Sequence, residues 1–117
     1  MKKIYHLSTC TTCKKILKEL EPSAAFILQD IKEEPITREQ LKEMRNLSGS
    51  YEALFSKRAR LYKERNLKNE KLTEDLYKNL ILDHYTFLKR PVVLNNDKIF
   101  IGNAQKTVEA AKRCINE

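Results

Sequence analysis

The sequence lacks any apolar run long enough to cross a membrane. A helix that spans a bilayer needs about 20 consecutive apolar residues, and charged residues, 33% of the 117-residue chain, interrupt every stretch before that length. The apolar run near the N-terminus stops at Ser8, which is too short for a secretory signal. We therefore expect a cytoplasmic protein that does not associate with membranes.

Cysteine is also scarce, with three residues in the chain. So few cysteines exclude a disulfide framework, and a reducing compartment disfavours structural disulfides. In such a compartment, two closely spaced cysteines are expected to react or to bind a metal ion rather than to brace the fold. Cys10 and Cys13 form such a pair.

The chain has two glycines, and it lacks linkers, internal repeats and low-complexity segments. Its length and its 41% hydrophobic content predict one soluble globular domain, which we expect to be monomeric. The net charge of +7 is compatible with nucleic-acid contact, an anionic substrate or a solvated basic surface. Because lysine and arginine are mixed with glutamate along the chain, the last interpretation is favoured, and direct DNA binding is not expected.

The N-terminal part of the chain predicts a βαβ unit. Residues 3–7 suit a buried strand, and apolar residues from Cys13 to Leu20 recur with the spacing of one helix face. Residues 25–28 resemble a second short strand. A strand, a helix and a strand in this order predict two parallel strands joined by the helix.

The middle of the chain predicts helices. Thr37 to Gln40 fits a capping box, residues 51–55 suit a short helix, and Thr73 is a candidate N-cap for another helix. These segments lie between residues 32 and 88, which we interpret as an all-helical insertion.

The C-terminal part predicts a β-hairpin and a final helix. Residues 92–94 and 99–101 are apolar and flank Asn95-Asn96-Asp97, which is strong turn chemistry. Val108, Ala111 and Ile115 then mark one face of a helix. Since hairpin strands are antiparallel, the fold class is α/β with a mixed four-stranded sheet and flanking helices, whose core comprises residues 1–31 and 89–117.

The cysteine pair lies where a strand gives way to a helix. Cys10 precedes the helix, where free N–H groups and the helix dipole favour a thiolate, and Lys14, Lys15 and Arg90 are candidates for adding positive charge. Cys13 lies one turn inside the helix on its apolar face. We therefore predict that Cys10 is the nucleophile and that Cys13 resolves a bond formed on Cys10, through a redox-active disulfide.

Other interpretations of the cysteines remain open. Half of a zinc site would need further ligands, and His6, His84 and Cys114 do not have ligand spacing, so no metal is predicted. Cys13 is also compatible with a purely packed role. Cys114 lies beside the apolar face of the last helix, and it is either a packed thiol or a second resolving cysteine.

Two further features are candidates for substrate binding. Pro91 starts a predicted central strand, where proline cannot donate a ladder hydrogen bond. A cis Arg90–Pro91 bond would expose backbone groups near the thiolate and let Arg90 face the thiolate or an oxyanion substrate. An ordinary trans bond is the alternative. The basic cluster that includes Arg58 is suited to an anion, a glutathione carboxylate, nucleic acid or plain solvation. Thr11, Thr12 and Lys14 complete the predicted substrate contacts.

Three segments resemble the arsenate reductase family, which includes Spx-like regulators: Y-H-L-S-T-C-T-T-C-K-K, A-L-F-S-K-R-A-R-L-Y-K-E and L-K-R-P-V-V-L, in this order along nearly the whole chain. The resemblance implies a thioredoxin-like core with a helical insertion. It also implies that Cys10 attacks arsenate and that glutathione with glutaredoxin, or thioredoxin, supplies electrons, without a bound cofactor. Spx-like regulators imply another partner, the α subunit of RNA polymerase.

The chain departs from glutathione-linked arsenate reductases in three places. Arg90 matches their arginine before the proline, but Ser56 stands at the middle arginine position and residues 98–102 contain no arginine. Cys13 matches the Spx-like branch instead, whose members usually have a longer C-terminal tail. Two functions are therefore predicted: an oxidoreductase that reduces arsenate or a glutathione or protein disulfide, and alternatively a redox-switched regulator that binds RNA polymerase.

Overall fold

The computed structural model describes residues 1–116. The helices and strands in this part of the chain are β1 (Lys2–His6), α1 (Thr11–Leu20), β2 (Ile27–Asp30), α2 (Arg38–Ser48), α3 (Arg60–Glu64), α4 (Glu74–Asp83), β3 (Val92–Asn95), β4 (Lys98–Ile101) and α5 (Gln105–Ile115), with short 3-10 turns at Glu52–Leu54, Leu67–Asn69 and Tyr85–Phe87. They form two compact units: Met1–Glu34 together with the chain from Arg90 onward, and Pro35–Lys89. The prediction of a single domain with an insertion at residues 32–88 stays a prediction. No helix within residues 1–116 has the length and apolar character needed to span a membrane.

The first unit is built on a four-stranded sheet in the order β2-β1-β3-β4. β1 is parallel to β2, as the βαβ pattern predicts, and Ile4 lies opposite Leu28. β3 is antiparallel to β1, with Ile4 opposite Val93, and β4 is antiparallel to β3. The mixed four-stranded sheet is therefore confirmed.

The predicted position of β2 is wrong by two residues. The prediction was residues 25–28, whereas the strand runs over Ile27–Asp30. Residues before it form a turn, in which the Phe26 N–H donates to the Ser23 carbonyl at 3.1 Å. The pattern of apolar residues does not reveal this turn, because the turn, like a strand, places an apolar residue in the core, namely Phe26.

Helices α1 and α5 cover one face of the sheet. Their apolar residues pack against Ile4 of β1 and Val93 of β3, and they comprise Ile16, Leu20, Val108 and Ala111. The isoleucine, leucine and valine side chains in this set each contribute about 1.5–3 kcal/mol when they are fully buried. This packing fixes the start of α1, and with it Cys10, relative to the sheet.

The strand directions bring four chain segments to one edge of the sheet. The parallel strands β1 and β2 both end there, at His6 and Asp30. β3 begins there at Val92 and β4 ends there at Ile101, because each runs antiparallel to its neighbour. We call this the Cys10 edge, since the chain passes directly from His6 to Cys10 along it.

The second unit is helical. The predicted capping box at the start of α2 is confirmed: Thr37 Oγ1 accepts from the Gln40 N–H at 3.1 Å, and Gln40 Oε1 accepts from the Thr37 N–H at 3.0 Å. Thr73 caps α4 as predicted. The predicted helix at residues 51–55 is a shorter 3-10 turn, and α3 was not predicted because it contains no buried residue.

Candidate active site: the cysteine pair at the start of α1

A tight turn carries the chain from β1 into α1. The Cys10 N–H donates to the Leu7 carbonyl at 3.0 Å, which closes the turn, and the Lys14 N–H donates to the Cys10 carbonyl at 3.1 Å, which opens the helix. Cys10 is thus the N-cap residue of α1. Its thiol is free and half-buried, so a small reactant can reach it.

The surroundings of Cys10 favour the thiolate. Burial alone would raise its pKa. Hydrogen bonds with the backbone and side chain of Cys13, the positive charge of Arg90 and a hydrogen bond with the backbone of Thr12 outweigh that effect, so the pKa of Cys10 lies below its ordinary value. The N–H groups of Thr12 and Cys13 are among those that a helix leaves without intrahelical partners.

Cys13 has the opposite character. Its side chain is 1% exposed, and burial, together with the neighbouring Cys10 sulfur, raises the pKa of Cys13 to about 11 despite lowering contributions from the Leu7 backbone and Arg90. Near neutral pH, Cys13 is therefore a thiol while Cys10 is the more acidic member of the pair. When Cys10 carries a covalent adduct, its negative charge disappears, and one cause of the raised pKa of Cys13 disappears with it.

Arg90 and Pro91 lie on the same edge. The Arg90–Pro91 peptide bond is cis, which is the alternative that the sequence left open. Arg90 is half-buried and lowers the pKa of both cysteines through its charge. Pro91 is buried, and its carbonyl accepts a hydrogen bond from the Gly102 N–H at 2.9 Å, so this carbonyl is already used within the fold.

The charge of Arg90 leads to a testable pH dependence. Replacing Arg90 with glutamine should raise the pKa of Cys10, because a cation that stabilises the thiolate is lost. Cys10 should then react about two- to tenfold more slowly with iodoacetamide near pH 7, and its rate profile should move to higher pH. Arg90→Lys keeps the charge and should preserve most of the reactivity. Arg113→Gln removes a similar charge from the exposed last turn of α5, next to Cys114, and should have no effect; an unchanged profile in Arg90→Gln would contradict the assignment.

The remaining predicted contacts divide between the two units. Thr11, Thr12 and Lys14 are exposed in the first turns of α1, directly after Cys10. Arg58 is exposed in the second unit, between the 3-10 turn at Glu52–Leu54 and α3. Substrate binding by these residues and by Pro91 stays a prediction.

Cys114 lies at the opposite edge of the sheet from Cys10. Asn95 Nδ2 lies 3.3 Å from Cys114 Sγ and 3.4 Å from the Cys114 carbonyl oxygen. Asn95 pairs with Lys2, the first residue of β1, whereas Cys10 follows the last one. The length of β1 alone separates the two ends by about 13 Å. This placement disfavours Cys114 as a second resolving cysteine in the same molecule.

Sequence reasoning missed one polar pair at the Cys10 edge. The Asp30 carboxylate, at the end of β2, accepts hydrogen bonds from the side chain and the backbone of Ser8. A signal was present, because the carboxyl ends of neighbouring parallel strands meet at one edge of a sheet. The misplaced boundary of β2 left Asp30 outside the strand and hid the signal.

The described residues do not assemble a metal site. Within residues 1–116, no group of three or more His, Cys, Asp or Glu side chains is arranged to hold a metal ion. What the arrangement offers is thiol chemistry: an accessible acidic thiol, a buried thiol hydrogen-bonded to it, and a guanidinium whose charge acts on both.

Comparison with known proteins shows which proteins this chain is similar to. The model of the ArsC family matches residues 5–111. An arsenate reductase of Neisseria meningitidis is 34% identical over 112 residues, which cover 92% of this chain and 95% of that protein. The global transcriptional regulator Spx 1 of Bacillus cereus is 30% identical over 102 residues, which cover 85% of this chain and 77% of that protein.

A solved structure shows the same architecture. The arsenate reductase from Vibrio cholerae superposes with a TM-score of 0.72 at 26% identity, and the match covers 96% of this chain and 95% of that one. The α/β fold with a mixed sheet and flanking helices is thus shared along almost the full length, and it is the thioredoxin-like fold that the sequence resemblance implied.

Proposed function

Because the chain belongs to the ArsC family, we propose that it is a thiol-dependent oxidoreductase in which the Cys10 thiolate attacks an oxidised substrate and Cys13 resolves the adduct. One observation carries the proposal: an acidic, half-exposed thiol at a helix N-terminus lies beside a buried thiol whose pKa is about 11. Nucleophile and resolving thiol need these opposite properties, since the first must be ionised and the second protected until the adduct has formed.

Arsenate is the substrate that we propose. The Cys10 thiolate would form a bond to arsenic while an arsenic–oxygen bond breaks, and the oxygen leaves as water after protonation. Cys13 would then attack the Cys10 sulfur, forming a Cys10–Cys13 disulfide and releasing arsenite. Two thiols thereby supply the two electrons that reduce As(V) to As(III).

Arg90 is the cation proposed to receive the oxyanion. Its guanidinium acts electrostatically on Cys10, and a planar fork of N–H donors suits an arsenate oxygen pair. Thr11, Thr12 and Lys14 follow Cys10 on exposed turns of α1 and are proposed to donate to the remaining oxygens. Such donors favour the charge that develops on the oxyanion during attack.

An external donor must reduce the disulfide after each cycle. We propose thioredoxin, or glutaredoxin with glutathione, as the donor, since each exchanges thiols with a C-x-x-C disulfide. The test is arsenate turnover followed through NADPH oxidation, with the thioredoxin and glutaredoxin systems supplied separately. Arsenite formation with either donor supports the proposal. If neither donor sustains arsenate turnover but a glutathione mixed disulfide is reduced, the substrate is a disulfide instead.

The Spx-type relative favours a second candidate function. A redox-switched regulator would use the Cys10–Cys13 disulfide as a switch and bind RNA polymerase. The relevant observation is the 30% identity to a global transcriptional regulator over 85% of this chain. Capture of the purified α subunit of RNA polymerase in only one oxidation state would support this function, and absence of capture in both states would reject it.

A further inference from the structure

The Asp30 side chain is a polar anchor of the turn that presents Cys10. Its Oδ1 accepts hydrogen bonds from the Ser8 N–H at 3.3 Å and the Lys32 N–H at 3.2 Å. Its Oδ2 accepts from the Ser8 hydroxyl at 2.5 Å. Both carboxylate oxygens therefore hold Ser8, which is 22 residues away in the sequence.

Ser8 is well placed to transmit this anchoring to Cys10. It is the second residue of the turn that the Cys10 N–H closes onto the Leu7 carbonyl at 3.0 Å. On the other side, Asp30 lies opposite His6 in the sheet, and the Ile31 N–H extends the pairing to the His6 carbonyl at 2.9 Å. The last residue of β1 and the turn that follows it are therefore both hydrogen-bonded to the end of β2, through His6 with Ile31 and through Ser8 with Asp30.

We propose that Asp30 is a positioning residue for the nucleophile, holding the turn at Ser8 so that the Cys10 sulfur stays aligned with the first N–H groups of α1. Asp30 acts through Ser8 and does not touch the reacting atoms in this role. The inference rests on the proposed function of Cys10 as a reactive thiolate. It adds a residue that neither the C-x-x-C spacing nor the resemblance indicates.

The negative charge of Asp30 distinguishes a positioning role from a direct electrostatic effect on Cys10, because the two predict opposite changes in the pKa of Cys10. A carboxylate acting on Cys10 through its negative charge alone would disfavour the thiolate, so its removal would make Cys10 more acidic. Loss of the anchor would have the opposite effect, because a displaced sulfur loses hydrogen bonds from the Thr12 and Cys13 backbone. The other titratable or cationic residues here are His6 and Lys32, which both interact with Asp30, Lys32 through its backbone N–H, and Cys13 and Arg90, which interact with Cys10.

The experiment measures the pH dependence of Cys10 alkylation by iodoacetamide, resolved from Cys13 and Cys114 by fragment mass spectrometry. In Asp30→Ala, the pKa of Cys10 should rise by about 0.5–1 unit, and alkylation near pH 7 should slow about three- to tenfold. Ser8→Ala should show a smaller rise, since its N–H still donates to Asp30. The double variant should raise the pKa of Cys10 no further than Asp30→Ala does, because both substitutions break the same Ser8–Asp30 interaction.

Two further variants complete the test. Asp30→Asn removes the charge but keeps one acceptor oxygen. The pKa of Cys10 in this variant should lie between its values in the wild-type protein and in Asp30→Ala. Asp97→Ala removes an exposed carboxylate from the β3–β4 turn at the opposite edge of the sheet and should leave the profile unchanged. If Asp30→Ala folds poorly, Ser8→Ala and Asp30→Asn still provide the shift.

The outcomes separate this inference from the proposed function. An unchanged or lowered pKa of Cys10 in Asp30→Ala and Asp30→Asn would overturn the positioning role, even if both variants were destabilised. A wild-type Cys10 that titrates like an ordinary free thiol would reject the proposed function. The difference between variant and wild type would still test Asp30 in that case.

Discussion

Cys10→Ser should abolish arsenate turnover, with a loss of at least about a thousandfold. The serine side chain has nearly the same shape as cysteine at this half-exposed position. Its hydroxyl, however, is not ionised at neutral pH and cannot form a disulfide. Neither the attack on the substrate nor the electron transfer remains possible. The measurement is the steady-state rate of arsenite formation with the donor system that supports the wild-type protein.

Cys114→Ser is the matched control for this substitution. Cys114 is also free and half-buried, but it lies at the opposite edge of the sheet, beside Asn95. The same chemical change there should leave turnover close to that of the wild-type protein. Turnover by Cys10→Ser at the wild-type rate would show that another group carries the reaction.

Cys13→Ala should stop the cycle after the first covalent step and lower steady-state turnover about a hundredfold. Alanine is preferable to serine, because the side chain is 1% exposed and a buried hydroxyl would need a hydrogen-bond partner. The variant should still form the adduct, since Cys10 keeps the helix N-terminus and Arg90. It lacks the internal thiol that releases the product.

A reaction without an external donor isolates this step. Prereduced wild-type protein should release one arsenite per molecule and lose two hydrogens in the mass of the intact chain, as a disulfide forms. Cys13→Ala should release no arsenite under these conditions and should keep a reduced or arsenate-modified Cys10. Full turnover by Cys13→Ala with glutathione and glutaredoxin would instead assign the resolving step to glutathione, and Cys13 would be a packed core residue.

The pKa contrast between the two thiols also predicts the order of events. Cys13 is held as a thiol mainly because burial raises its pKa, and the charge of the neighbouring Cys10 sulfur raises it further. Bond formation at Cys10 removes that charge and makes Cys13 easier to ionise. Under the proposed mechanism, Cys13 would therefore become more reactive once the adduct on Cys10 has formed.

Local sequence patterns predicted much of the fold because the interactions they report are local. The apolar spacing of α1, the capping box at Thr37 and the turn at Asn95-Asn96-Asp97 involve residues a few positions apart. The position of Cys10 ahead of a helix follows from the same kind of pattern. Helix α3 escaped prediction because none of its residues is buried, so no apolar period marks it.

By itself, the sequence determined the βαβ unit, the hairpin and the presence of two thiols one helical turn apart, since strand and helix periodicity and helix-end chemistry depend on neighbouring residues. Only the tertiary structure decided where β2 begins and that Ser8 donates hydrogen bonds to Asp30. It also decided that the charge of Arg90 acts on both thiols and that Cys114 lies at the far edge. Those features depend on which strands pair and in which register, and pairing joins residues that are distant in the chain.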